Sequence, residues 1–419
     1  NGQLSHYFCT IFSTKVHSLF HVGLLQRHFA SSSLTRHLPT TSALPRARKA
    51  IPLSCLAQLS RLQHRGMRIA TLQFAPTVGD VDGNIKRANE LLKGGNVVGG
   101  AQAGIESLKP DLLVLPELAL TGYNFPSLEA IRPFLELAGK GVSAAWARET
   151  ATRLRCKVCV GYPEIELAAG GECSAQPQEK YYNSLLVVDE EGEVLLNYRK
   201  TFLYFTDETW ASEGTAERGF HELVFNSGSA GGDVLTSRVA TSFGICMDIN
   251  PYKFEAPFTA WEFANRVIDS KSQLVILSMA WTTFMSREEL DALADKPDLD
   301  TFNYWIKRFW PLVRQKMRHD VDLGFDGHEA ESATEKNIVI VFGNRCGEEG
   351  SVRYAGTSAI IAITQRPGVV QDGDAGEELP FDVKILCWDI LGATTEGICF
   401  ADTTADPKTV FGLVKASQT

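Results

Sequence analysis

The chain has 419 residues, a formal net charge of −9 and 44% hydrophobic residues, a composition typical of a folded globular protein. It contains no apolar run of about 18 residues, so no membrane-spanning helix is expected. Its nine cysteines are scattered and odd in number, which argues against a disulfide framework and favours a reducing compartment.

Residues 1–66 differ in composition from the rest of the chain. They contain eight Lys or Arg, six His and no Asp or Glu, which is typical of a mitochondrial transit peptide. The first methionine is Met67, directly before the first predicted strand, so an over-extended gene model is the alternative interpretation. We expect residues 67–419 to form one domain. The protein is expected to be cytoplasmic, or mitochondrial if residues 1–66 are a genuine presequence.

From Met67 onward, short apolar segments alternate with amphipathic ones. Strands are predicted at 67–75, 112–117, 157–164, 183–189, 273–280 and 337–344, and helices at 84–92 and 143–154. The apolar segments predict strands that are buried on both faces, as in a covered sheet. The alternation predicts a layered α/β domain. The surplus of acidic residues beyond residue 66 disfavours nucleic-acid binding.

Three further segments have weaker signals. Residues 286–319 are charged, aromatic-rich and helical in pattern, which fits a lid, a partner surface or a packed outer helix. Residues 371–380 form an acidic loop, and one or two short strands or a helix are expected after it. Cys156 and Cys159 form a CxxC pair on a predicted strand, whose period of two places them on opposite faces. We therefore expect no redox or metal site there, and a structural role for Cys387 and Cys399.

The apolar segment 238–245 runs directly into Cys246, which places a thiol at the tip of a strand. Glu117 follows the apolar run 112–115, and Lys200 follows Tyr198 and Arg199 in the segment 197–214. A cysteine has an ordinary pKa of about 8.5, so a catalytic thiol needs a base or a positive charge nearby. Glu117 and Lys200 are candidates for these two roles.

This combination predicts nucleophilic catalysis. Glu117 would take the thiol proton as Cys246 attacks a carbonyl or nitrile carbon, return it to the leaving amine and later activate water. The Lys200 ammonium and the backbone N–H of Met247 would stabilise the oxyanion. No cofactor or metal is required. A Cys–His enzyme is disfavoured, since the histidines after Met67, His221, His319 and His328, do not follow strands.

Each residue also has an ordinary explanation. Cys246 alone fits a small buried apolar side chain, Glu117 a solvated loop acid, and Lys200 a surface base. Three polar residues at strand ends, in the order Glu, Lys, Cys, are harder to explain in this way. Their combination favours a catalytic site.

Five segments of the chain resemble the nitrilase superfamily: residues 67–92, 116–125, 198–204, 243–257 and 341–361. The resemblance extends from Met67 to about Thr364. It implies an α/β/β/α four-layer sandwich in which Glu117, Lys200 and Cys246 cleave non-peptide C–N bonds without a cofactor. The motifs YRKTFLYFTDETW and GICMDINPYKFEAP are most similar to those of fungal protein N-terminal amidases.

The family resemblance also implies a second pocket acid just after the lysine. The candidates are Asp207, Glu208 and Glu213, of which we favour Glu208 and keep Asp207 as its substitute. A solvated loop acid is the ordinary alternative.

Members of the amidase branch convert an N-terminal Asn or Gln into Asp or Glu, so a carboxylate is expected to bind the substrate's α-ammonium. Asp248 is the candidate, with helix capping as its alternative. Because Asn250–Pro251 is itself predicted to begin the next helix, Asp248 is expected to be free. Trp281, Tyr123 and Asn124 are candidates for the pocket wall.

The predicted partners are therefore protein or peptide N-termini that bear Asn or Gln. In such pathways the new N-terminal acid marks a protein for arginylation and degradation. A small-molecule amidase or carbamoylase of the same superfamily is the main alternative. A non-catalytic scaffold that binds through 286–319 is disfavoured by the presence of Glu117, Lys200 and Cys246 together.

Overall fold

The computed structural model describes residues 66–94, 96–98, 101–168, 178–228, 234–315, 317, 336–367 and 381–412. One compact unit spans Gly66–Val410. The basic extension lies outside the described residues except for Gly66, and the acidic loop 371–380 lies outside them entirely. Within the described ranges, no helix is long and apolar enough to cross a membrane.

The strands are, in chain order, β1 (Arg68–Gln73), β2 (Asn96–Val98), β3 (Ala101–Ala103), β4 (Leu112–Val114), β5 (Glu136–Leu137), β6 (Lys157–Ala168), β7 (Gln178–Val188), β8 (Val194–Arg199), β9 (Phe220–Gly228), β10 (Val234–Ile245), β11 (Leu274–Ser278), β12 (Thr282–Thr283), β13 (Lys336–Gly343), β14 (Glu348–Glu349), β15 (Val352–Tyr354), β16 (Ala359–Pro367), β17 (Phe381–Ile390), β18 (Gly397–Asp402) and β19 (Thr409–Gly412). The α-helices are α1 (Val81–Gly94), α2 (Ile105–Leu108), α3 (Leu128–Ile131), α4 (Val142–Leu154), α5 (Glu262–Asp269), α6 (Arg287–Leu293), α7 (Leu299–Arg308) and α8 (Pro311–Arg314).

Two large mixed sheets form the centre of the molecule. The first has the order β18-β1-β4-β6-β7-β8, with β5 paired to β6, and the second has the order β19-β17-β16-β13-β11-β10-β9. Strands β1, β4 and β6 are parallel to one another, as are β10, β11 and β13. Parallel strands end at the same edge of a sheet, so each sheet can present several loops at one place.

Helices cover the outer face of each sheet. Ala88 and Leu92 of α1 and Trp146 of α4 pack into the apolar cluster that includes Leu72 and Leu113 of the first sheet. On the second sheet, α5 and α7 pack through rings, as described below. The architecture has the layer order α/β/β/α and confirms the predicted four-layer sandwich.

The two sheets meet through small and hydrogen-bonded residues. The Ser278 hydroxyl donates to the Leu115 carbonyl at 2.9 Å, which links β11 to the end of β4. A Cβ atom at Gly343 would lie 2.8 Å from the Thr71 hydroxyl, so glycine permits this close approach. The inner faces of the sheets therefore pack tightly enough to fix one set of loops against the other.

Residues 287–314 form packed outer helices, one of the three predicted alternatives for this segment. The Trp305 ring stacks on Phe342 of β13 with centroids 4.9 Å apart. Phe309 lies 6.0 Å from Phe342 and 6.0 Å from Phe263 of α5. These contacts bury the aromatic face that the sequence pattern showed. Residues 316 and 318–335 lie outside the described residues.

The predicted strands at 67–75, 112–117, 157–164, 183–189, 273–280 and 337–344 all overlap observed strands. Cys156 packs into the apolar cluster on the helix side of the first sheet, and Cys159 is buried outside that cluster, as expected for opposite faces. The C-terminal segment differs from the prediction, since β17 is ten residues long and β18 pairs with β1. Each sheet thus receives a strand from the end of the chain.

Candidate active site

Five strand ends supply the residues at one edge of the sandwich. Glu117 follows β4 and Lys200 follows β8 in the first sheet, while Cys246 follows β10 in the second sheet. The structure brings these three predicted residues together. Loops after β11 and β13 complete the same region.

Glu117 is fully buried and has hydrogen bonds to both carboxylate oxygens. Its Oε1 accepts from Lys200 Nζ at 2.5 Å and from Asn183 Nδ2 at 2.7 Å, and its Oε2 accepts from the Ala280 N–H at 2.9 Å. Gly161 of β6 lies directly against this loop, where a Cβ atom would be 2.8 Å from the Glu117 Cα. The backbone of β6 and the loop after β11 therefore hold the carboxylate in place.

Lys200 is also fully buried, and Asp207 is its second anion. The Lys200 Nζ donates to Asp207 Oδ2 at 2.5 Å as well as to Glu117. Burial opposes the charge on Lys200, but Asp207 and Glu117 outweigh it and raise the pKa of the ammonium. Lys200 is therefore held as a cation between two carboxylates.

The preference for Glu208 as the second acid is wrong. Asp207 and Glu208 occupy one short 3₁₀ turn, Asp207–Thr209, in which Asp207 faces the interior and Glu208 is exposed. Glu213 lies at the surface, where it accepts a hydrogen bond from the Tyr252 hydroxyl at 2.9 Å. The alternative named from the sequence, Asp207, is the acid that joins the cluster.

Asn183 is a member of the cluster that sequence reasoning missed. Its Nδ2 donates to Glu117 Oε1 at 2.7 Å and to Asp207 Oδ1 at 2.9 Å, so it bridges the two carboxylates. Its backbone carbonyl accepts from the Lys200 N–H at 2.8 Å. Its sequence signal was a polar residue two positions before the apolar run 185–188 of β7, a pattern that fits a structural role equally well.

Cys246 occupies an unusual backbone conformation. It has φ of 41°, in the left-handed region, and begins the 3₁₀ turn Cys246–Ile249. Gly244 does not form this turn; its missing Cβ makes room for Phe263, whose Cε2 would lie 2.7 Å from a Cβ there. The strained residue is the cysteine itself, a feature that is often associated with functional sites.

The thiol of Cys246 is held in its neutral form. Burial raises its pKa well above the ordinary value, the negative charge of Glu117 raises it further, and Lys200 opposes both. Burial also raises the pKa of Glu117 to about 7, against the opposing effect of Lys200. The resting site therefore combines a protonated thiol with a carboxyl group whose pKa suits a general base near neutrality.

Asp248 does not have the predicted role. Its Oδ1 accepts from the backbone N–H groups of Thr201 at 3.1 Å and Phe202 at 2.8 Å. Its Oδ2 accepts from the Tyr198 hydroxyl at 2.8 Å and the Ile245 N–H at 2.7 Å. Since the carboxylate is fully buried and already holds four donors, it is unsuited to binding a substrate ammonium.

Asp248 caps the 3₁₀ turn that contains Cys246, which was the alternative role named from the sequence. It also connects this turn to the loop after Lys200 by hydrogen bonds. Asn250 does not cap the next helix as predicted, because no side-chain cap bond precedes the 3₁₀ turn Tyr252–Phe254. The Asn250 Oδ1 accepts instead from the Tyr304 hydroxyl at 2.7 Å.

Helix α7 supports the same turn from outside. The buried Arg308 donates through Nε to the Ile249 carbonyl at 2.6 Å and through Nη1 to the Phe258 carbonyl. With Tyr304 on Asn250, two residues of α7 bind the end of the cysteine turn. The packed helices therefore have a direct structural link to the nucleophile.

The predicted wall residues have different surroundings. The Tyr123 ring lies 5.6 Å from Lys200 Nζ, so Tyr123 borders the cluster. Asn124 is fastened to Glu349, whose Oε2 accepts its N–H at 2.8 Å. Trp281 is half-buried and packs against Tyr304 at 5.6 Å. The buried Met247 accepts a hydrogen bond at sulfur from Asn250 Nδ2 at 3.3 Å.

Replacement of Asp248 with Asn should destabilise the fold. The new amide NH₂ group would point at N–H or O–H groups that now donate hydrogen bonds to the carboxylate. This conflict should lower the free energy of unfolding by about 2 to 4 kcal/mol. Denaturant unfolding measures this cost, with Glu208→Gln as an exposed acid control. An Asp248→Asn variant as stable as the control would contradict the capping role.

Replacement of Asp207 with Asn should lower kcat/KM by roughly 100-fold, because Lys200 loses one of its two anions. The negative charge of Asp207 raises the pKa of Glu117, which is about 7 in the wild type. Removal of this charge should therefore shift the acid limb of the pH–rate profile to lower pH. Glu208→Gln should leave the rate and the profile nearly unchanged. A large loss of kcat/KM in Glu208→Gln and none in Asp207→Asn would instead identify Glu208 as the functional acid.

A family model described as carbon-nitrogen hydrolase matches residues 68–250, the part that contains Glu117, Lys200 and Cys246. Protein N-terminal amidase of Schizosaccharomyces pombe is 30% identical over 312 residues, which cover 71% of this chain and 92% of that protein. Protein N-terminal amidase of Saccharomyces cerevisiae is 26% identical over 447 residues, covering 79% of this chain and 93% of that protein.

A crystal structure of N-terminal amidase with Asn-Glu-Ala peptide has a TM-score of 0.59 and 24% identity to this chain, and covers 80% of this chain and 97% of the other. This likeness shows a shared fold. Together with the 30% identity over most of the chain, it leads to one conclusion. The chain belongs to the carbon-nitrogen hydrolase family of the nitrilase superfamily and is a hydrolase of amide C–N bonds.

Proposed function

We propose that the protein hydrolyses the side-chain amide of N-terminal Asn and Gln residues of proteins or peptides, giving Asp and Glu and releasing ammonia. The observation that carries this proposal is the buried Glu117–Lys200–Cys246 cluster in a chain similar over most of its length to two yeast proteins named protein N-terminal amidase. The new N-terminal acid would then mark the product for arginylation and degradation.

The first half of the reaction follows from the protonation states. The neutral Cys246 thiol attacks the amide carbon while Glu117 takes its proton. The Ala280 N–H donates to Glu117 Oε2 and also lowers the pKa of Cys246, which supports Oε2 as the oxygen that takes the proton. The tetrahedral intermediate breaks its C–N bond as Glu117 returns the proton to the leaving ammonia, and a thioester remains.

The oxyanion requires hydrogen-bond donors that the site can supply. An ammonium group has three N–H bonds, and Lys200 donates two of them to Glu117 and Asp207. Its third N–H is assigned to the oxyanion. The Met247 N–H is the second donor, since N–H groups at the start of a helical turn have no acceptor within the turn.

The second half of the reaction reuses the same base. Glu117, ionised again after ammonia departs, takes a proton from water as the water oxygen attacks the thioester carbon. The C–S bond breaks, Cys246 recovers its proton from Glu117 and the side chain leaves as a carboxylic acid. Atoms and charges balance without a cofactor.

The charge of the site favours a substrate with a free amino terminus. Ionised Glu117 and Asp207 carry two negative charges against the one positive charge of Lys200, and all three groups are fully buried. Charges interact more strongly in such surroundings than in water. An α-ammonium bound nearby would be attracted by this surplus, without the dedicated carboxylate that had been expected in Asp248.

Ammonia release tests the function. The wild-type chain is given a peptide that begins with Asn, its N-acetylated twin and free asparagine, with Cys246→Ala as the control. We expect release from the first substrate, at least 100-fold slower release from the second, and none above background with Cys246→Ala, whose thermal stability should stay near that of the wild type.

Two results would count against the proposal. Equal rates on the free and acetylated peptides would remove the requirement for an N-terminal amine. Turnover of free asparagine alone would identify a small-molecule amidase with the same chemistry.

A further inference from the structure

Several aromatic side chains next to the catalytic cluster have no part in the chemistry. They come from two segments, the loop after Lys200 and the 3₁₀ turn Tyr252–Phe254. We define the aromatic rim as Phe202, Tyr204, Phe205, Tyr252 and Phe254. Neighbouring rings of the rim contact one another: Phe202 and Tyr252 are 5.0 Å apart, Tyr204 and Phe205 are 5.2 Å apart, and Phe205 and Phe254 are 5.9 Å apart.

Tyr204 connects the rim to the catalytic cluster. Its backbone N–H donates to Asp207 Oδ2 at 3.0 Å, the same oxygen that binds Lys200. Burial raises the pKa of its phenol, so the hydroxyl stays protonated. The rim therefore begins where the catalytic pocket ends.

Two residues of the rim are exposed to solvent, while Phe202 and Phe254 are half-buried. Phe205 is 48% exposed and Tyr252 is 36% exposed, which is high for large apolar or aromatic side chains. A group of such side chains at one place on a surface often marks a binding site. The rim is also joined to the catalytic cluster through the hydrogen bond from the Tyr204 N–H to Asp207.

The backbone of the rim is held in an unfavourable conformation. Lys253 and Phe254 are consecutive non-glycine residues with φ of 52° and 56°, in the left-handed region. The Phe254 N–H donates to the Pro251 carbonyl at 2.9 Å and so fixes this shape. Strain of this kind persists where the surrounding structure requires it, and it is concentrated at ligand-binding loops. Here it orients Phe254 toward Tyr204, with ring centroids 6.3 Å apart.

We propose that the aromatic rim binds the second and third residues of the substrate polypeptide and favours apolar side chains at the second position. This inference rests on the proposed N-terminal amidase function. The backbone N–H of Tyr204 is bonded to Asp207 of the catalytic cluster, so a peptide whose first side chain is at Cys246 would pass Tyr204 on its way to the exposed rings. An extended chain advances about 3.4 Å per residue, so its next two residues reach the distance over which neighbouring rim rings are spaced.

The charged groups next to the rim disfavour acidic side chains at the second position of the substrate. Glu213 accepts a hydrogen bond from the Tyr252 hydroxyl at 2.9 Å, and Tyr252 raises the pKa of Lys253, with smaller contributions from the charges of Glu213 and Glu208. The polar edge of the rim thus carries two carboxylates for one ammonium. An acidic second residue would be repelled there, while an apolar one would gain contact with the rings.

The test uses peptides that begin with Asn and differ at the second position alone, with Phe, Gly or Asp. For the wild type, kcat/KM for the Phe peptide should exceed that for the Gly peptide by roughly five- to tenfold, as partial burial of one apolar side chain provides. The Asp peptide should be the slowest. In Phe205→Ala the ratio of Phe to Gly should fall to about two or less.

Matched variants separate the rim from general effects. Leu167→Ala removes another half-exposed apolar side chain, on β6 and away from the rim, and should keep the wild-type ratio. Phe254→Leu removes a ring while keeping an apolar side chain at the strained position, and should lower the ratio as Phe205→Ala does. Because Phe205 is half-exposed, its loss is compatible with a folded protein.

The outcomes distinguish the two proposals. A wild type that releases ammonia from the Asn-Gly peptide but shows equal kcat/KM for all three peptides would overturn the role of the rim and leave the N-terminal amidase function in place. An unchanged ratio in Phe205→Ala, together with a smaller oligomer in solution, would show that the rim contacts a second copy of the chain instead. A wild type inactive on every Asn peptide would overturn the proposed function and the rim with it.

Discussion

The site depends on one buried ammonium that is held between two carboxylates. Removing each of these ions from water is costly, so Lys200, Glu117 and Asp207 are tolerable inside the protein only as a hydrogen-bonded group. Asn183 bridges the two acids and gives the cluster one arrangement. The same arrangement suits the proposed chemistry, because it places a fixed cation beside a carboxyl group whose pKa is raised by burial to about 7 against the opposing effect of Lys200. In the proposed reaction Glu117 is the general base, in place of a histidine.

The distance between base and nucleophile is set by the packing of two sheets. Glu117, Asn183 and Lys200 belong to the first sheet, whereas Cys246 belongs to the second. Two hydrogen bonds connect the sheets at this point, from the Ala280 N–H to Glu117 Oε2 and from the Glu117 N–H to the Met279 carbonyl at 3.3 Å. The sandwich is therefore part of the catalytic geometry. Asp248 and Arg308 of α7 then hold the turn in which Cys246 has its left-handed conformation. The buried polar groups around this turn therefore fix the position of the thiol.

The sequence was sufficient for the fold and for three of the central residues. Buried strands are recognisable in a sequence as apolar runs. Glu117 and Cys246 each follow such a run, whereas Lys200 follows the partly buried strand β8. The failures concern side-chain direction. Asp207 and Glu208 are adjacent in a 3₁₀ turn, and which of them faces inward depends on the phase of that turn. The structural role of Asp248 could not be seen in the sequence, because three of its four donors belong to Tyr198, Thr201 and Phe202, which are distant along the chain. Asp248 was therefore predicted to be free to bind the substrate. Asn183 was missed because a polar residue inside a strand has no local signal that distinguishes catalysis from structure.

The central claim is that Cys246 is a neutral thiol until Glu117 takes its proton. The most direct measurement is the rate at which chloroacetamide, a small primary amide, alkylates Cys246 as a function of pH, followed by mass spectrometry in the wild type and in Glu117→Gln. We expect the wild-type rate to rise through a pH of about 7, where Glu117 ionises, and this rise to be lost in Glu117→Gln. A rate that is independent of pH near neutrality and unchanged in Glu117→Gln would mean that the thiolate forms without the base, and that Glu117 does not activate Cys246.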